Sequence, residues 1–336
     1  MKKILIVGAG FSGATIARTL AEQGFQIKII DCRPHLAGTA YDYLNEHGIR
    51  IHKYGPHLFH TSNMDVVSFL SRFTEWTQYK HKVKAQLSDG KLVTLPVNKE
   101  TADIVGENNI LDIFFRPYTR KMWGYELEDL DPSILLRVPV RNDLNEFYFP
   151  NDTFQALPVN GYTELVRSML QHPNIDIELS THFNAELLPE YNHTFNSMSI
   201  DEYFNKCHGE LPYRSIKFHN YNIPVPHVFP VATVNFTHNE PYTRVTEWKN
   251  LPGHGVNASW TSLTIEEPCD FQDNNLERYY PVKDISGHNK DLYLKYKKLI
   301  PDNMTFIGRC GLYAYLDMHQ AVSSALSISK EFINSN

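Results

Sequence analysis

Along the first thirty residues, the pattern of apolar and polar positions changes from that of a strand to that of a helix and back to that of a strand. Residues 2–7 and 25–30 are short runs rich in Ile, Leu and Val, which is typical of buried parallel strands. Between them, residues 14–23 repeat their apolar side chains with helical spacing. The chain therefore predicts a unit of strand, helix and parallel strand at its start.

Later segments continue this alternation and predict the remaining elements. Helices are predicted at residues 64–73, 99–122 with a break at Pro117, from about 131–133 onward, and at 161–171, 291–299 and 319–333. Strands are predicted at residues 49–53, 175–179, 191–197, 215–219, 232–236, 243–247, 256–262 and 304–307. A hairpin is predicted from residues 77–87 and 91–96, with Asp89 and Gly90 at its turn.

A glycine-rich turn joins the first strand to the first helix. Gly8 allows the tight turn, Gly10 lets the backbone approach a pyrophosphate, and Gly13 lets the helix pack closely on the strand. The helix N-terminus favours an anion, and Asp31 after the second strand can accept hydrogen bonds from ribose hydroxyls. This context predicts a dinucleotide-binding unit, and the alternative is a tight turn without a ligand.

The C-terminal segment indicates how the nucleotide-binding unit is completed. The strand predicted at 304–307 is followed by Gly308 and Arg309, by Asp317 and by the last predicted helix. This order completes many FAD-binding folds. We therefore predict an α/β protein with a discontinuous Rossmann-like domain, built from both chain ends and a middle piece.

Composition narrows the class of protein. The chain has 336 residues, enough for two or three domains, and its formal net charge of −6 argues against nucleic-acid binding. No apolar run reaches the length of a membrane span and no signal peptide precedes the first strand, so we expect a cytoplasmic protein without membrane insertion. The four cysteines are scattered, which predicts reduced thiols and no metal site.

Seven motifs resemble, in order, those of the UDP-galactopyranose mutase family, flavoenzymes that interconvert the pyranose and furanose rings of UDP-galactose. The motifs are residues 8–13 (GAGFSG), 54–61 (YGPHLFHT), 118–124 (YTRKMWG), 211–215 (LPYRS), 241–244 (PYTR), 279–282 (YYPV) and 308–318 (GRCGLYAYLDM). Several independent motifs are far more specific than any one of them, and the resemblance runs nearly end to end.

The resemblance implies an isomerase whose reaction has no net redox change. Reduced FAD is expected to attack the anomeric carbon through N5 and displace UDP. The sugar ring opens in the covalent flavin–sugar adduct, and the C4 hydroxyl closes it again as a furanose. A nucleotide sugar is the expected partner.

The resemblance also implies the residues that act on the substrate. Arg137 and Arg244 match two arginines that grip the diphosphate, which guanidinium groups can bind in bidentate fashion. The residues expected to act in catalysis are Arg137, Arg244, His60, Tyr280 and Tyr315. The residues expected to bind the nucleotide sugar are Asn98, Phe114, Phe115, Tyr118, Thr119, Trp123, Arg137, Tyr148, Asn235, Arg244, Tyr280 and Tyr315.

FAD is the implied cofactor, active in its reduced form. His57 and His60 match histidines beside the flavin, with His60 closer to N5, where a histidine can tune flavin protonation. The residues expected to bind FAD are Gly8, Gly10, Phe11, Ser12, Gly13, Asp31, Cys32, Gly38, Thr39, His57, His60, Arg214, Gly308, Arg309, Tyr315, Leu316, Asp317 and Met318.

Domain boundaries follow from the same resemblance. The expected units are an FAD-binding domain of residues 1–62, 163–200 and 304–336, a reduced helical domain of residues 99–141, and an antiparallel sheet and substrate domain of residues 63–98, 142–162 and 201–303. The family usually has a longer helical insert where this chain has residues 99–113, and that insert makes the dimer contact in the bacterial enzymes. A homodimer of this chain would therefore use a different interface.

Departures from the family motifs keep other functions open. Thr39 replaces a usual Asn, residues 196–199 replace a Gly-Pro turn, and Cys310 stands where Leu is common. One alternative is a mutase for another nucleotide sugar, such as dTDP-fucose, UDP-N-acetylgalactosamine, UDP-arabinose or a deoxysugar. A flavin oxidoreductase and a non-catalytic nucleotide-sugar-binding protein are the others.

Overall fold

The computed structural model describes residues 2–129, 140–257 and 259–335. Its strands are β1 Lys3–Val7, β2 Gln26–Asp31, β3 Asp42–Leu44, β4 Arg50–His52, β5 Phe59–Thr61, β6 Trp76–Gln78, β7 Val83–Gln86, β8 Leu92–Leu95, β9 Phe154–Pro158, β10 Ile175–Leu179, β11 His193–Asn196, β12 Tyr213–Ile223, β13 Thr233–Phe236, β14 Arg244–Glu247, β15 Thr261–Asp270, β16 Tyr280–Pro281 and β17 Met304–Phe306. Its α-helices are α1 Phe11–Ala21, α2 Met64–Leu70, α3 Lys99–Val105, α4 Arg116–Trp123, α5 Tyr162–Leu170, α6 Ile200–Tyr203, α7 His288–Lys297, α8 Gly308–Gly311 and α9 Met318–Asn334. Within these ranges, no helix is both long and apolar enough to cross a membrane. The helix start predicted at 131–133 lies outside the described residues.

A five-stranded parallel sheet carries the N-terminal unit. Its strand order is β10-β2-β1-β11-β17, and every neighbouring pair runs parallel. Ile4 and Ile6 of β1 pack into one core with α1, α5 and α9, whereas Leu5 and Val7 pack on the opposite face. Burial of both faces explains why the strand is a continuous apolar run. The predicted return of residues 304–307 to this unit is confirmed, because β17 pairs with β11.

A seven-stranded sheet forms the second large layer, in the order β16-β12-β15-β14-β13-β7-β8. Its neighbouring strands are antiparallel except β13 and β7, which run parallel. The predicted antiparallel sheet is therefore mixed at this one pair. No hairpin joins β7 to β13, so the connection between them does not impose an antiparallel direction.

The predicted strand at 77–87 is wrong in one respect, because this segment divides between two sheets. β6 pairs with β9, which also pairs with β5, and β7 forms the predicted hairpin with β8. Between them lies His81, which is buried where the chain passes from one sheet to the other. The predicted turn is confirmed: Gly90 has φ +86°, and the Asp89 carboxylate accepts the Lys91 N–H at 2.9 Å.

Residues 99–122 do not form one helix with a break at Pro117. The interruption falls at Gly106, whose φ of +83° ends α3. A 3₁₀ turn and a π-helical turn, Leu111–Phe115, then lead into α4. Pro117 lies in the first turn of α4, where its missing N–H breaks no helical hydrogen bond.

The strand predicted at 256–262 is also wrong, because β15 begins only at Thr261 and runs on to Asp270. Pro268 argued against a strand here in the sequence, since proline has no N–H to donate to a neighbouring strand. In the structure Pro268 pairs with Ile216 of β12 but lies beyond Glu266, the last β15 residue in register with β14. Proline is tolerated there because only one side of the strand is paired.

Candidate active site

The turn between β1 and α1 forms a cradle for an anion. α1 begins after Gly10, which has no side chain to cap the first N–H groups of the helix. A Cβ on Gly8 would lie 2.0 Å from Ser197 Oγ, and one on Gly13 would lie 2.0 Å from the Gly8 carbonyl oxygen. These approaches require glycine at both positions. The N–H groups at the start of α1 have no side-chain cap, as a pyrophosphate site requires.

Asp31 closes β2 beside this turn and is buried. One of its oxygens accepts the Ala9 N–H at 2.8 Å, and the other accepts the Arg33 N–H at 2.9 Å. Each carboxylate oxygen can accept a second hydrogen bond, so ribose hydroxyls remain compatible with this arrangement. The turn and Asp31 therefore fit the pyrophosphate and ribose of a dinucleotide such as FAD. Cys32, the next residue, is exposed.

A cavity of about 460 Å³ opens among the segment 54–60, α4, the seven-stranded sheet and the segment 309–319. Thirteen of the predicted site residues line it: Thr39, His57, His60, Tyr118, Trp123, Tyr148, Asn235, Arg244, Tyr280, Arg309, Tyr315, Asp317 and Met318. The structure thus brings together residues that are separated by almost 280 positions in the chain. Arg137 lies outside the described residues.

Arg244 reaches the cavity from the start of β14. Its Nε lies 2.7 Å from Oε2 of Glu266, its register partner on β15. Glu266 is 1% exposed, and this burial raises the pKa of its carboxyl although Arg244 acts in the opposite direction. The arginine is therefore held in place by a buried carboxylate beneath it.

Two tyrosines and an arginine form another wall of the cavity. The rings of Tyr280 and Tyr315 are nearly parallel, with centroids 5.2 Å apart, and the guanidinium carbon of Arg309 lies 5.1 Å from each. Arg309 also donates to the carbonyl oxygens of Tyr279 at 3.1 Å and Leu316 at 2.7 Å. Burial raises the pKa of Tyr280 to about 12, so its hydroxyl keeps its proton at neutral pH.

Tyr118 and Trp123 project from α4 into the cavity. The indole of Trp123 meets the Tyr280 ring edge to face, with centroids 6.4 Å apart. Arg214 does not line the cavity: its Nε donates to the Met122 carbonyl at 2.8 Å, at the C-terminal end of α4. Arg214 therefore fixes the helix that carries the two aromatic side chains.

Lys121 joins α4 to the hairpin of β13 and β14. Its ammonium group donates to the carbonyl oxygens of Phe236, His238 and Tyr242, each at 2.9 Å. Since α4 carries the aromatic wall and β14 carries Arg244, this clasp sets the distance between two sides of the cavity.

His57 is held in one tautomer. Its Nδ1 lies 2.8 Å from the Gly55 carbonyl, which can only accept, so Nδ1 carries the proton and Nε2 is the acceptor. Burial lowers its pKa to about 4, so the ring is neutral at pH 7. The His57 N–H donates to His52 Nδ1 at 3.0 Å, and His52 Nε2 meets His254 Nε2 at 2.9 Å.

His60 has a different partner. Its Nδ1 lies 2.6 Å from Oδ2 of Asp152, and its ring stacks on Phe149 with centroids 3.5 Å apart. The ring of His319 approaches it edge-on at 5.7 Å. A carboxylate and two rings therefore fix the orientation of His60 at the cavity wall.

The remaining predicted residues lie behind the cavity or around the glycine turn. Asn98 is buried and caps α3 by accepting the Thr101 N–H at 3.0 Å. Phe114 and Phe115 pack against the cluster that contains Val83 and Val93. The predicted residues outside the cavity lining are Gly8, Gly10, Phe11, Ser12, Gly13, Asp31, Cys32, Gly38, Asn98, Phe114, Phe115, Thr119, Arg214, Gly308 and Leu316.

Several residues of the site were missed by sequence reasoning. Glu266 and Asp152 are the carboxylate partners of Arg244 and His60, and His81 and His319 line the cavity. No local motif marks them, because Glu266 meets its partner through strand register and Asp152 lies 92 residues from His60. Among the described residues, no group of histidine, cysteine and carboxylate side chains could hold a metal ion.

Comparison with known proteins shows similarity over the whole length of the chain. A family model described as UDP-galactopyranose mutase matches residues 113–315, and one described as an NAD(P)-binding Rossmann-like domain matches residues 6–73. The chain is 34% identical to a dTDP-fucopyranose mutase of Escherichia coli, in an alignment that covers all of both proteins. It is also 34% identical to a probable UDP-galactopyranose mutase of Klebsiella pneumoniae, over 99% of this chain and 95% of that protein.

A solved structure supports the fold. Reduced UDP-galactopyranose mutase superposes on the chain with a TM-score of 0.75 at 17% identity, over 100% of this chain and 94% of that one. A putative protoporphyrinogen oxidase from Exiguobacterium follows with a TM-score of 0.66 at 11% identity, over 100% of this chain and 99% of that one. The overall fold is therefore shared with proteins whose names give different activities, a mutase and an oxidase.

Proposed function

The chain belongs to the UDP-galactopyranose mutase family, and from this premise we propose that it interconverts UDP-galactopyranose and UDP-galactofuranose. Mutases of this family are isomerases that act on the pyranose and furanose forms of nucleotide sugars, and FAD is their cofactor. The identity of the sugar and the roles of individual residues are the proposed part.

The main support for this proposal is that Arg244 lines the same cavity as Tyr118, Tyr280 and Tyr315. Cleavage of the bond between sugar and nucleotide leaves negative charge on a diphosphate, and a guanidinium group can neutralise it through bidentate hydrogen bonds. Glu266 holds Arg244 through Nε. Tyr280 remains protonated at neutral pH and can donate a second hydrogen bond to the phosphates. Arg137 would supply the second cation.

The cradle at the start of α1 fits FAD. We assign the N–H groups of the first helical turn to its pyrophosphate and the carboxylate of Asp31 to its ribose. When bound in its reduced form, the flavin supplies the nucleophile that attacks the sugar. Arg309, fixed by two backbone carbonyls, would provide positive charge beside the flavin.

The aromatic wall on α4 would bind the base. Tyr118 and Trp123 offer ring faces and edges to a pyrimidine, and base stacking on such side chains is tolerant of substitution on the base. The clasp of Lys121 keeps this wall at a fixed distance from Arg244. We therefore assign the base to the aromatic wall and the diphosphate to Arg244, at opposite sides of the clasp.

A second candidate substrate is dTDP-fucose. It is favoured by the end-to-end match with the dTDP-fucopyranose mutase, at 34% identity over 100% of each chain. Fucose differs from galactose at C6, where a methyl group replaces the hydroxymethyl group, and thymine differs from uracil by a methyl group. The diphosphate and the ring chemistry are shared, so the same residues would act on either substrate.

The test is an anaerobic turnover assay with the FAD-loaded protein. Samples with and without dithionite are incubated with UDP-galactofuranose, dTDP-fucofuranose and the other nucleotide sugars named above, and ring forms are separated by chromatography. Turnover is expected only in the reduced sample. Arg244→Lys should lower kcat/KM about 100-fold, because lysine cannot bind phosphate in bidentate fashion. Arg120→Lys, on an exposed arginine, is the matched control. A reduced flavoprotein that isomerises none of the panel would refute the proposal.

The proposed function also includes a cellular location, an oligomeric state and a division into domains. We place the reaction in the cytoplasm, where nucleotide sugars and reductants are available. Sedimentation of the FAD-loaded protein tests for a homodimer, for which we propose an interface other than the shortened helical segment. Limited proteolysis tests the domain boundaries, with cleavage expected near residues 99 and 141.

A further inference from the structure

His60 and Asp152 form a close hydrogen-bonded pair on the cavity wall. His60 Nδ1 lies 2.6 Å from Asp152 Oδ2, and an ionised carboxylate can only accept a hydrogen bond. Nδ1 therefore carries a proton whether the ring is neutral or charged. The nitrogen that can gain or lose a proton is Nε2.

Both members of the pair are held in place by the strands that carry them. His60 lies in the middle of β5, in register with Gln155 of β9, and Asp152 lies in the turn that precedes β9. The second oxygen of Asp152 meets Ser62 Oγ at 3.4 Å, and the ring of His60 stacks on Phe149 at an angle of 10°. The side chain of His60 keeps 17% of its surface exposed, which is enough for contact with a bound sugar.

Ring contraction of a sugar requires a proton to move. When a pyranose becomes a furanose, the bond between C1 and O5 breaks and O5 becomes a hydroxyl. A bond between C1 and O4 forms, and O4 loses its proton. Atoms and electrons balance with no net redox change, but one proton must pass from O4 to O5.

We propose that His60 transfers this proton and that Asp152 is its positioning residue, an inference that rests on the proposed mutase function. The imidazolium form of His60 donates from Nε2 to O5 as the ring opens, and the resulting neutral ring accepts the proton of O4 as the furanose closes. The reverse reaction uses the same two transfers in the opposite order. Asp152 stabilises the imidazolium and fixes the ring through Nδ1, so the transfer uses Nε2.

Other titratable groups of the cavity are less suited to this transfer. Asp152, His81 and His319, from neighbouring elements, each interact with His60. Burial lowers the pKa of His81 to about 3 and also lowers the pKa of His319, so both are neutral at pH 7. Glu266 is engaged by Arg244. His60 differs from both rings because its Nδ1 is paired with a carboxylate.

The proposal is tested with two variants of the FAD-loaded enzyme and one matched control. Asp152→Asn removes the charge that orients His60, and His60→Ala removes the ring. Glu267→Gln is the control, since Glu267 makes a similar 2.7 Å pair with His219 away from the cavity. The measurements are kcat and KM across pH, bound FAD, and the ¹⁵N chemical shifts of the His60 ring.

The expected result separates proton transfer from structural support. Asp152→Asn should lower kcat about 10²-fold or more, flatten the pH profile of kcat and change the ¹⁵N signature of His60, with KM within about threefold and FAD content unchanged. His60→Ala should lower kcat about 10²- to 10⁴-fold, and added imidazole should restore part of it. Glu267→Gln should behave as wild type.

Two results would overturn the inference and leave the mutase function standing. One is a wild-type enzyme that turns over while Asp152→Asn keeps kcat within about twofold. The other is a loss of turnover in both variants that is accompanied by loss of FAD and is not restored by imidazole. If Asp152→Asn fails to fold, imidazole rescue of His60→Ala decides alone. A wild-type enzyme without turnover would instead refute the proposed function.

Discussion

Acidification from pH 7 to pH 5 is expected to destabilise the protein through several buried histidines, and His81 and His254 are two of them. Burial lowers the pKa of His81 to about 3 and that of His254 to about 4, whereas an unfolded histidine titrates near 6.5. Between these values the unfolded chain binds protons that the native protein does not. Stability therefore falls as the pH falls from about 6.5 towards 4.

The magnitude follows from the two shifts. Each histidine lowers the free energy of unfolding by about 2 kcal/mol between pH 7 and pH 5, since one pKa unit corresponds to about 1.4 kcal/mol. Both side chains are almost fully buried, at 4% exposed for His81 and 3% for His254, so solvent screening is small. The sum of about 4 kcal/mol is a large part of the roughly 5–15 kcal/mol that stabilises a typical native protein. Glu266 acts with the opposite sign, because its raised carboxyl pKa favours the native state as the pH falls.

The assay is urea unfolding of the FAD-loaded protein at both pH values, followed by tryptophan fluorescence. His81→Gln and His254→Gln should each reduce the loss of unfolding free energy by about 2 kcal/mol, because glutamine does not titrate. His227→Gln, at an exposed histidine, is the control and should lose as much stability as wild type. The reasoning is refuted if the double variant His81→Gln/His254→Gln is as sensitive to acid as the wild type.

Three further predictions concern the walls of the cavity and the glycine turn. Lys121→Met removes the clasp between α4 and the hairpin, so KM for the nucleotide sugar should rise about tenfold in steady-state assays, with kcat within about twofold; an unchanged KM would contradict the role of the clasp. Glu266→Gln leaves Arg244 without its buried partner and should lower the free energy of unfolding by about 3 kcal/mol in urea, whereas an effect as small as that of Glu267→Gln would show that the pair contributes little. Gly13→Ala would place a Cβ 2.0 Å from the Gly8 carbonyl oxygen and should reduce bound flavin, measured by absorbance, more than about tenfold; normal flavin content would exclude the close approach.

Elements with local signals could be predicted from the sequence. The first strand, the glycine turn and α1 are encoded within about twenty residues by apolar runs and by Gly8, Gly10 and Gly13. The hairpin of β7 and β8 carries its own turn residues, Asp89 and Gly90. In each case the interactions that select the structure lie between neighbours in the chain, so the pattern contains them.

Features that depend on distant partners were not predicted. β15 contains Pro268 and two consecutive glutamates, and only its pairing with β12 and β14 shows that it is a central strand. The same register brings Glu266 to Arg244, and the pairing of β5 with β9 brings Asp152 to His60. Propensity cannot reveal such pairs, because strand register is decided by tertiary packing.

The candidate site shows the same division. Resemblance to family motifs named the residues, and thirteen of them line one cavity, although their roles remain predictions. The resemblance did not distinguish Arg309, which lines the cavity, from Arg214, which binds the end of α4. Both are arginines within motifs. Only the folded structure shows that Arg309 lines the cavity and that Arg214 supports the helix behind it.

The parallel sheet has a consequence for the order in which the protein is made. β1 and α1 are synthesised long before β17 and α9, which complete the same sheet and core. The chain must therefore hold its nucleotide-binding turn without the final strand and helix throughout translation. Such distant closure is slow relative to local folding. We expect nascent chains to expose the apolar face of α1, and tight retention of FAD to begin only once α9 has docked.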